Sequence, residues 1–269
     1  MTLANILDKI IADKRAEVQS RKSQTSVDTL KEQIRALPKC RNFYKAVTRP
    51  NPRGINVIAE VKKASPSAGL IREDFDPVSI AQTYDKCGAN AISVLTDEKY
   101  FQGRLEYIDQ IHQVVDLPVL RKDFIVDIWQ VYESRAAGAD AILLIADALK
   151  PGVLMDMMIA AAELTLTVLL EVHHADTLLA VRSLIGFPKK GYSVLGINNR
   201  NLTTMQVDLN TTSRLAGLLE NTNELVAESG VKTRADVEKL ISVGVRAILI
   251  GQTLCECPNI EEKFRELFG

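Results

Sequence analysis

The chain has 269 residues, 25% of them charged and 46% hydrophobic, and 33 Lys and Arg against 34 Asp and Glu give a formal net charge of -1. This is the profile of a globular protein, and it offers no electrostatic footprint for nucleic acid or an anionic membrane as the main partner. No apolar run reaches the ~18 residues that span a bilayer, and the N-terminus is charged where a secretory signal would be apolar, so the expected address is the cytoplasm.

Near the N-terminus Ile6, Ile10, Ile11 and Val18 recur at helical spacing among Lys, Arg and Asp, which predicts an amphipathic helix. A second helix is expected from Val27 to about Leu37, stopped by Pro38, and the loop RPNPRG (Arg49 to Gly54) separates this extension, residues 1–48, from the remainder of the chain. The extension is expected to pack on that remainder as a lid, an interface or a plug. From Ile55 onward short β-branched apolar runs alternate with helical patterns. The expected strands are 55–61, 91–96, 118–123, 141–146, 166–172, 193–199, 224–229 and 246–251. Helical patterns lie between them, as at 77–89, 129–139 and 233–245, and Gly88, Gly138 and Gly244 stand where a left-handed residue ends a helix. Strands apolar on both faces mean a parallel sheet covered on both sides. Eight such units predict an α/β fold, a (β/α)8 TIM barrel with an N-terminal helical extension, as one domain over 1–269. A doubly wound open sheet is the alternative, disfavoured because no GxGxxG follows the first strand and no strand reads as a polar edge.

In such a barrel the C-terminal strand ends meet at one mouth, and polar side chains collect there. Strand periodicity puts Glu60 and Lys62 on one face, follows Leu120 with Lys122 and Leu169 with Glu171, and brings Asn198, Arg200 and Glu228 to the same end, with Ser229 opening the next loop. Any one of these, Arg121-Lys122-Asp123 for example, reads equally well as a solvated turn. Together, cations facing carboxylates form a setting for general acid and base chemistry. Gly230 and Gly251, after the last two strands, stand where barrels hold phosphate on backbone N–H groups, with tight turns chosen for geometry alone as the lesser alternative. Phe101 and Phe124 sit just past strand ends, as the walls of a pocket for a flat ring or as loop packing. His173, His174 and His112 lack metal-triad spacing and are expected at the surface or behind other site residues. Cys40, Cys87, Cys255 and Cys257 show no CxxC pair, so neither a disulfide framework nor a zinc site is expected. Met155, Met157 and Met158 read as core, and Trp129 and Tyr132 as stacked on the barrel wall.

The stretches AEVKKASPS, SVLTDEKYFQG, LPVLRKDFI, GADAILLI, LLEVH, LGINNRNL, VAESGV and LIGQTL, in that order, resemble the indole-3-glycerol phosphate synthase family over nearly the whole chain. The resemblance implies a lyase of tryptophan biosynthesis that closes the indole ring of 1-(2-carboxyphenylamino)-1-deoxyribulose 5-phosphate with loss of carbon dioxide and water. It implies Lys122 as the acid at the substrate carbonyl and Glu171 as the carboxylate for hydroxyl loss and proton transfer, with Glu60 and Asn198 in support. Lys62 joins the catalytic set while holding polar groups of the substrate with Ser65 and Arg200. Ser229, also counted catalytic, forms the phosphate cradle with Gly230 and Gly251. Glu228 is a further mouth carboxylate, and Phe101 and Phe124 wall the anthranilate pocket. The resemblance also implies no cofactor and no metal. Gln252 departs from the Ser or Glu found in that place in the family, which touches only the detail of phosphate contact. The expected partner is a small phosphorylated molecule, with neither nucleic acid nor membrane, and a monomer or weak homo-oligomer. Because the chain ends soon after NIEEKFRELFG, it is expected to stand alone, not fused to phosphoribosylanthranilate isomerase. A related ribulose-phosphate isomerase, and a barrel that binds a phosphorylated metabolite without turnover, are the competing functions; Lys62 and Lys122 with Glu171 speak against both.

Overall fold

Eight parallel strands, β1 (Asn56–Val61), β2 (Ala91–Leu95), β3 (Val119–Lys122), β4 (Ala141–Ile145), β5 (Thr167–Val172), β6 (Ser193–Asn198), β7 (Leu225–Glu228) and β8 (Ala247–Ile250), pair in sequence order. β8 pairs with β1, so the sheet closes and the doubly wound alternative is set aside. Closure leaves no edge strand, which is why no strand needed to read as polar. The computed structural model describes residues 6–202 and 204–269; the first five residues of the extension lie outside the described residues.

The helices are α1 (Ile6–Gln24), α2 (Val27–Arg35), α3 (Phe43–Thr48), α4 (Pro77–Lys86), α5 (Glu98–Phe101), α6 (Tyr107–His112), α7 (Ile128–Ala136), α8 (Pro151–Glu163), α9 (Ala175–Val181), α10 (Asn210–Ala216), α11 (Arg234–Ser242), α12 (Gln252–Cys255) and α13 (Ile260–Phe268). Their starts follow local chemistry. Asp76 caps α4 ahead of Pro77, while Asp127 with Gln130 and Thr233 with Asp236 form capping boxes at α7 and α11. Gly88, Gly138 and Gly244 end helices with φ of +81°, +90° and +84°, a backbone that a Cβ would strain.

Inward side chains such as Ile58, Leu120, Leu169, Val226 and Leu249 fill the barrel, and Phe43 and Val47 of α3 close its N-terminal end. Asn56 fastens that plug, donating from Nδ2 to the carbonyls of Val47 (3.0 Å) and Arg49 (2.9 Å). The N-terminal strand ends therefore carry buried polar groups too. Asp140, for instance, accepts from the backbone N–H of Arg41 and Val119. These groups bond to main chain; those at the other end face a cavity.

Three expectations about packing are corrected. Trp129 does not stack on the barrel wall: it packs with Val18 of α1 and Leu30 of α2, with Tyr132 beside them, and its indole N–H donates to the Thr25 carbonyl at 2.9 Å. Met157 and Met158 are core, but Met155 is 40% exposed because it falls on the outer face of α8. Arg121 and Asp123 are not solvated. They alternate with Lys122 and so point outward beneath α1, where Arg121 bonds Asp123 (2.9 Å) and Glu133 (2.8 Å) in a buried ion network.

Candidate functional site

The C-terminal strand ends open into a cavity of about 1000 Å³. Its lining brings together Glu60, Lys62, Ser65, Phe101, Lys122, Phe124, Glu171, Asn198, Arg200, Glu228, Ser229, Gly230, Gly251 and Gln252. It also includes Ile6, Leu7 and Ile10 of α1, so the first helix covers part of the mouth.

Strand register sets the rim. Lys122 pairs with Leu95, Glu171 with Ile145 and Gly196, and Glu228 with Asn198 and Leu249, so the charged groups form the last inward layer above an apolar one. Lys122 Nζ stands 3.2 Å from Glu171 Oε2 and 3.4 Å from Glu228 Oε2. Burial works against the Lys122 ammonium, but Glu171, Glu228 and Glu60 outweigh it and hold it charged well above the ordinary lysine range. The two carboxyls divide. Burial and the charge of Glu171 push Glu228 up; Glu171, despite burial, is held down by Lys122 and by His173. The surroundings thus push the two carboxyls in opposite directions, favouring charge on Glu171 over charge on Glu228.

Glu228 fits because residue 196 is glycine: a Cβ there would stand 2.3 Å from Glu228 Oε1. Gly251 likewise makes room for Glu60, whose Oε1 and Cβ lie 2.6 and 2.8 Å from where a Cβ would be. Space for a neighbouring carboxylate is therefore one reason for glycine at 251. Gly230 has φ +94° and Ser229 has φ +64°, so consecutive left-handed residues form the turn after β7. Asn199 braces that turn, donating from Nδ2 to the carbonyls of Glu228 and Ser229, each at 3.1 Å, and accepting from Thr212.

The remaining side chains surround this centre. Lys62 Nζ is 3.3 Å from Glu60 Oε1 and 5.6 Å from the centre of the Phe101 ring, a cation over an aromatic face. Phe101 and Phe124 stand 6.1 Å apart and tilted by 38°. Ser65 accepts from the Ala68 N–H at 3.2 Å within a small hairpin of Ala64–Ser65 and Gly69–Leu70. Asn198 Oδ1 accepts from the Arg200 N–H at 3.0 Å, which turns the chain outward after β6. Arg200 donates to Gln252 Oε1 at 3.3 Å and Gln252 Nε2 donates to Glu256 Oε1 at 2.6 Å, so the Gln252 amide is tied between two charged side chains.

His174 is exposed, as expected, whereas His173 is 6% exposed and stands behind Glu171, too deep to be a surface residue. Sequence reasoning missed Gly196 and Asn199; the pattern LGINN held both, but only their contacts across β6 and β7 mark them. Among the described residues, no cluster of three or more His, Cys, Asp or Glu is arranged to hold a metal ion.

A family model described as indole-3-glycerol phosphate synthase matches residues 7–267. Among curated proteins, the indole-3-glycerol phosphate synthase of Geobacillus thermodenitrificans is 46% identical over 264 residues, covering 98% of this chain and 97% of that protein. That of Rhodopirellula baltica is 44% identical, covering 95% of each. Among solved structures, 3-hexulose-6-phosphate synthase superposes with a TM-score of 0.61 at 14% identity, covering 79% of this chain and 98% of that one, a likeness of fold alone.

Proposed function

The chain belongs to the indole-3-glycerol phosphate synthase family, and on that footing we propose how its rim residues divide the reaction. The enzyme is a decarboxylating lyase of tryptophan biosynthesis, closing the indole ring of the carboxyphenylamino deoxyribulose phosphate. Lys122 is the general acid. As the aryl carbon attacks the substrate carbonyl, the developing alkoxide becomes basic enough to take a proton from an ammonium group that neighbouring carboxylates hold charged. The carboxylate lost as carbon dioxide returns its electron pair to the ring. Glu171, ionised, offsets the cationic intermediate, then takes a proton from the newly closed ring and passes one to the hydroxyl, which leaves as water. Glu60 holds Lys62 at the rim, Asn198 orients the strand end, and Glu228 keeps a second, protonated carboxyl beside Lys122.

Lys62, Ser65 and Arg200 hold polar groups of the substrate, Phe101 and Phe124 flank its aromatic ring, and Ser229, Gly230 and Gly251 present main chain to the phosphate. Gln252, engaged with Arg200 and Glu256, serves by fixing Arg200. The observation that carries these assignments is Lys122 Nζ between two carboxyls at 3.2 and 3.4 Å, within the cavity that the aromatic pair also lines. We also take 1–269 as a single domain with the extension 1–48 packed on it, acting as a monomer or weak homo-oligomer in the cytoplasm. Buried Lys14 of α1, in contact with Asp97 and Asp123 next to the mouth, supports the packing of the extension.

The test is Lys122→Met. Ring closure, followed by indole fluorescence, should be lost, while affinity for a non-reacting phosphorylated analogue stays within about tenfold, or ~1.4 kcal/mol. Turnover near the wild-type rate would remove Lys122 from the acid role.

A further inference from the structure

Glu171 is engaged at both of its oxygens. Oε2 accepts from Lys122 at 3.2 Å, and Oε1 lies 3.2 Å from His173 Nε2. His173 follows Glu171 by two residues, so strand alternation sends both side chains to the same side. The imidazole is fixed from behind by Asp147, in the turn Ala146–Ala148 that follows β4. Asp147 Oδ2 is 2.9 Å from His173 Nδ1 and accepts the His173 backbone N–H at 3.2 Å, while Asp147 Oδ1 accepts from Thr177 Oγ1. His173 Nε2 makes no hydrogen bond among the described residues, so Glu171 Oε1 is what this buried ring nitrogen faces.

We propose that His173, oriented by Asp147, is a positioning residue for ring closure: it holds Glu171 Oε1 at the cavity wall and leaves Oε2 as the oxygen presented to Lys122 and the substrate. This deepens, and rests on, the assignment of Glu171 as the working carboxylate. The charged and titratable groups that face the imidazole are Glu171 on its own strand, Asp147 from the β4 side and His174 next in the chain, with ring centres 6.2 Å apart; Lys122 and Glu228 stand beyond Glu171. Burial disfavours the imidazolium, but Asp147 and Glu171 outweigh it and push His173 up to about 10. A cation therefore sits at each oxygen of Glu171 through the neutral pH range.

A residue that acts through charge and aim leaves a kinetic signature that a packing role does not. In His173→Leu we expect kcat to fall by about tenfold or more while KM changes little. The acid limb of the kcat profile should move to higher pH, because removing a neighbouring cation raises the pKa of Glu171. His173→Gln, whose neutral amide can be aimed at Oε1, should regain part of kcat but keep the displaced limb. Asp147→Asn, at a partly solvated position, should displace the limb less and in the same direction, and it carries the test if the His173 variants do not fold. A kcat near wild type, or a reduced kcat with an unmoved limb, overturns the proposal. Glu171→Gln is measured alongside: if it turns over normally, the role of Glu171 has failed, and that outcome is distinct from a failure of His173.

Discussion

Glu228 and Gly196 define one constraint at the residue scale. A buried carboxyl that accepts no hydrogen bond from other described side chains, with Lys122 at 3.4 Å only partly offsetting the nearby Glu171, is pushed toward its protonated form and needs space. Gly196→Ala removes the space. A methyl 2.3 Å from Oε1 must displace the carboxyl or the strand, at a cost typical of overpacking, about 1–3 kcal/mol. Thermal denaturation should show lower stability, and the turnover assay a lower kcat. An unchanged melting curve and rate would mean that Glu228 does not depend on that gap. Glu60, Lys122 and Glu171 were legible in the sequence because a strand's period of two sorts them onto the inward face next to apolar residues. Gly196 was not, since its reason lies on β7, and neither was the pairing of His173 with Asp147, which joins the ends of β4 and β5. The same alternation that placed Lys122 inward sends Arg121 and Asp123 outward, and what waited there was a buried network instead of solvent.

Among the elements, α1 depends on a single buried cation. Lys14, 2% exposed, contacts Asp97 at 2.8 Å and Asp123 at 3.1 Å, tying the helix that covers the mouth to the residue after Lys122. Lys14→Met would leave two buried carboxylates short of a cation, a loss of ~3–5 kcal/mol for a broken buried pair. Tm should fall by several degrees, amide hydrogens of α1 should exchange faster, and kcat should drop as Asp123 moves. Slow exchange in α1 with an unaltered Tm would show that the apolar face holds the helix without Lys14. The amphipathic pattern announced α1, and the apolar runs announced all eight strands. α3 was not foreseen: six residues are too few for a helical period to stand out, and its role as a plug depends on Phe43 and Val47 meeting the barrel interior. The Ala64–Ser65 hairpin escaped for the same reason.

For the whole molecule, the buried ions make stability depend on pH from both sides. Burial opposes the Asp123 charge, yet Arg121 and Lys14 hold its carboxyl below the usual range, so its contribution is present above the ordinary aspartate value of ~3.9 and fades as pH falls further. His173 runs the other way. Its contribution is complete below the ordinary imidazole value of ~6.5 and is lost as pH rises through about 10. The stability gap between wild type and His173→Leu should therefore narrow steadily from neutral pH toward pH ~10 in denaturant titrations; a gap constant across that range would contradict the ionic role. The Asp123 window belongs to the network outside the barrel and the His173 window to the rim, where strands distant in sequence deliver the charges that we propose surround a single bound molecule. A crystal structure with the indole glycerol phosphate product bound tests that most directly. The phosphate is expected on the main chain of Gly230 and Gly251, and the indole ring between Phe101 and Phe124, with Lys122 and Glu171 both in hydrogen-bonding reach of the product. A product seated outside the mouth, or one that leaves Lys122 and Glu171 facing only each other, would contradict the account.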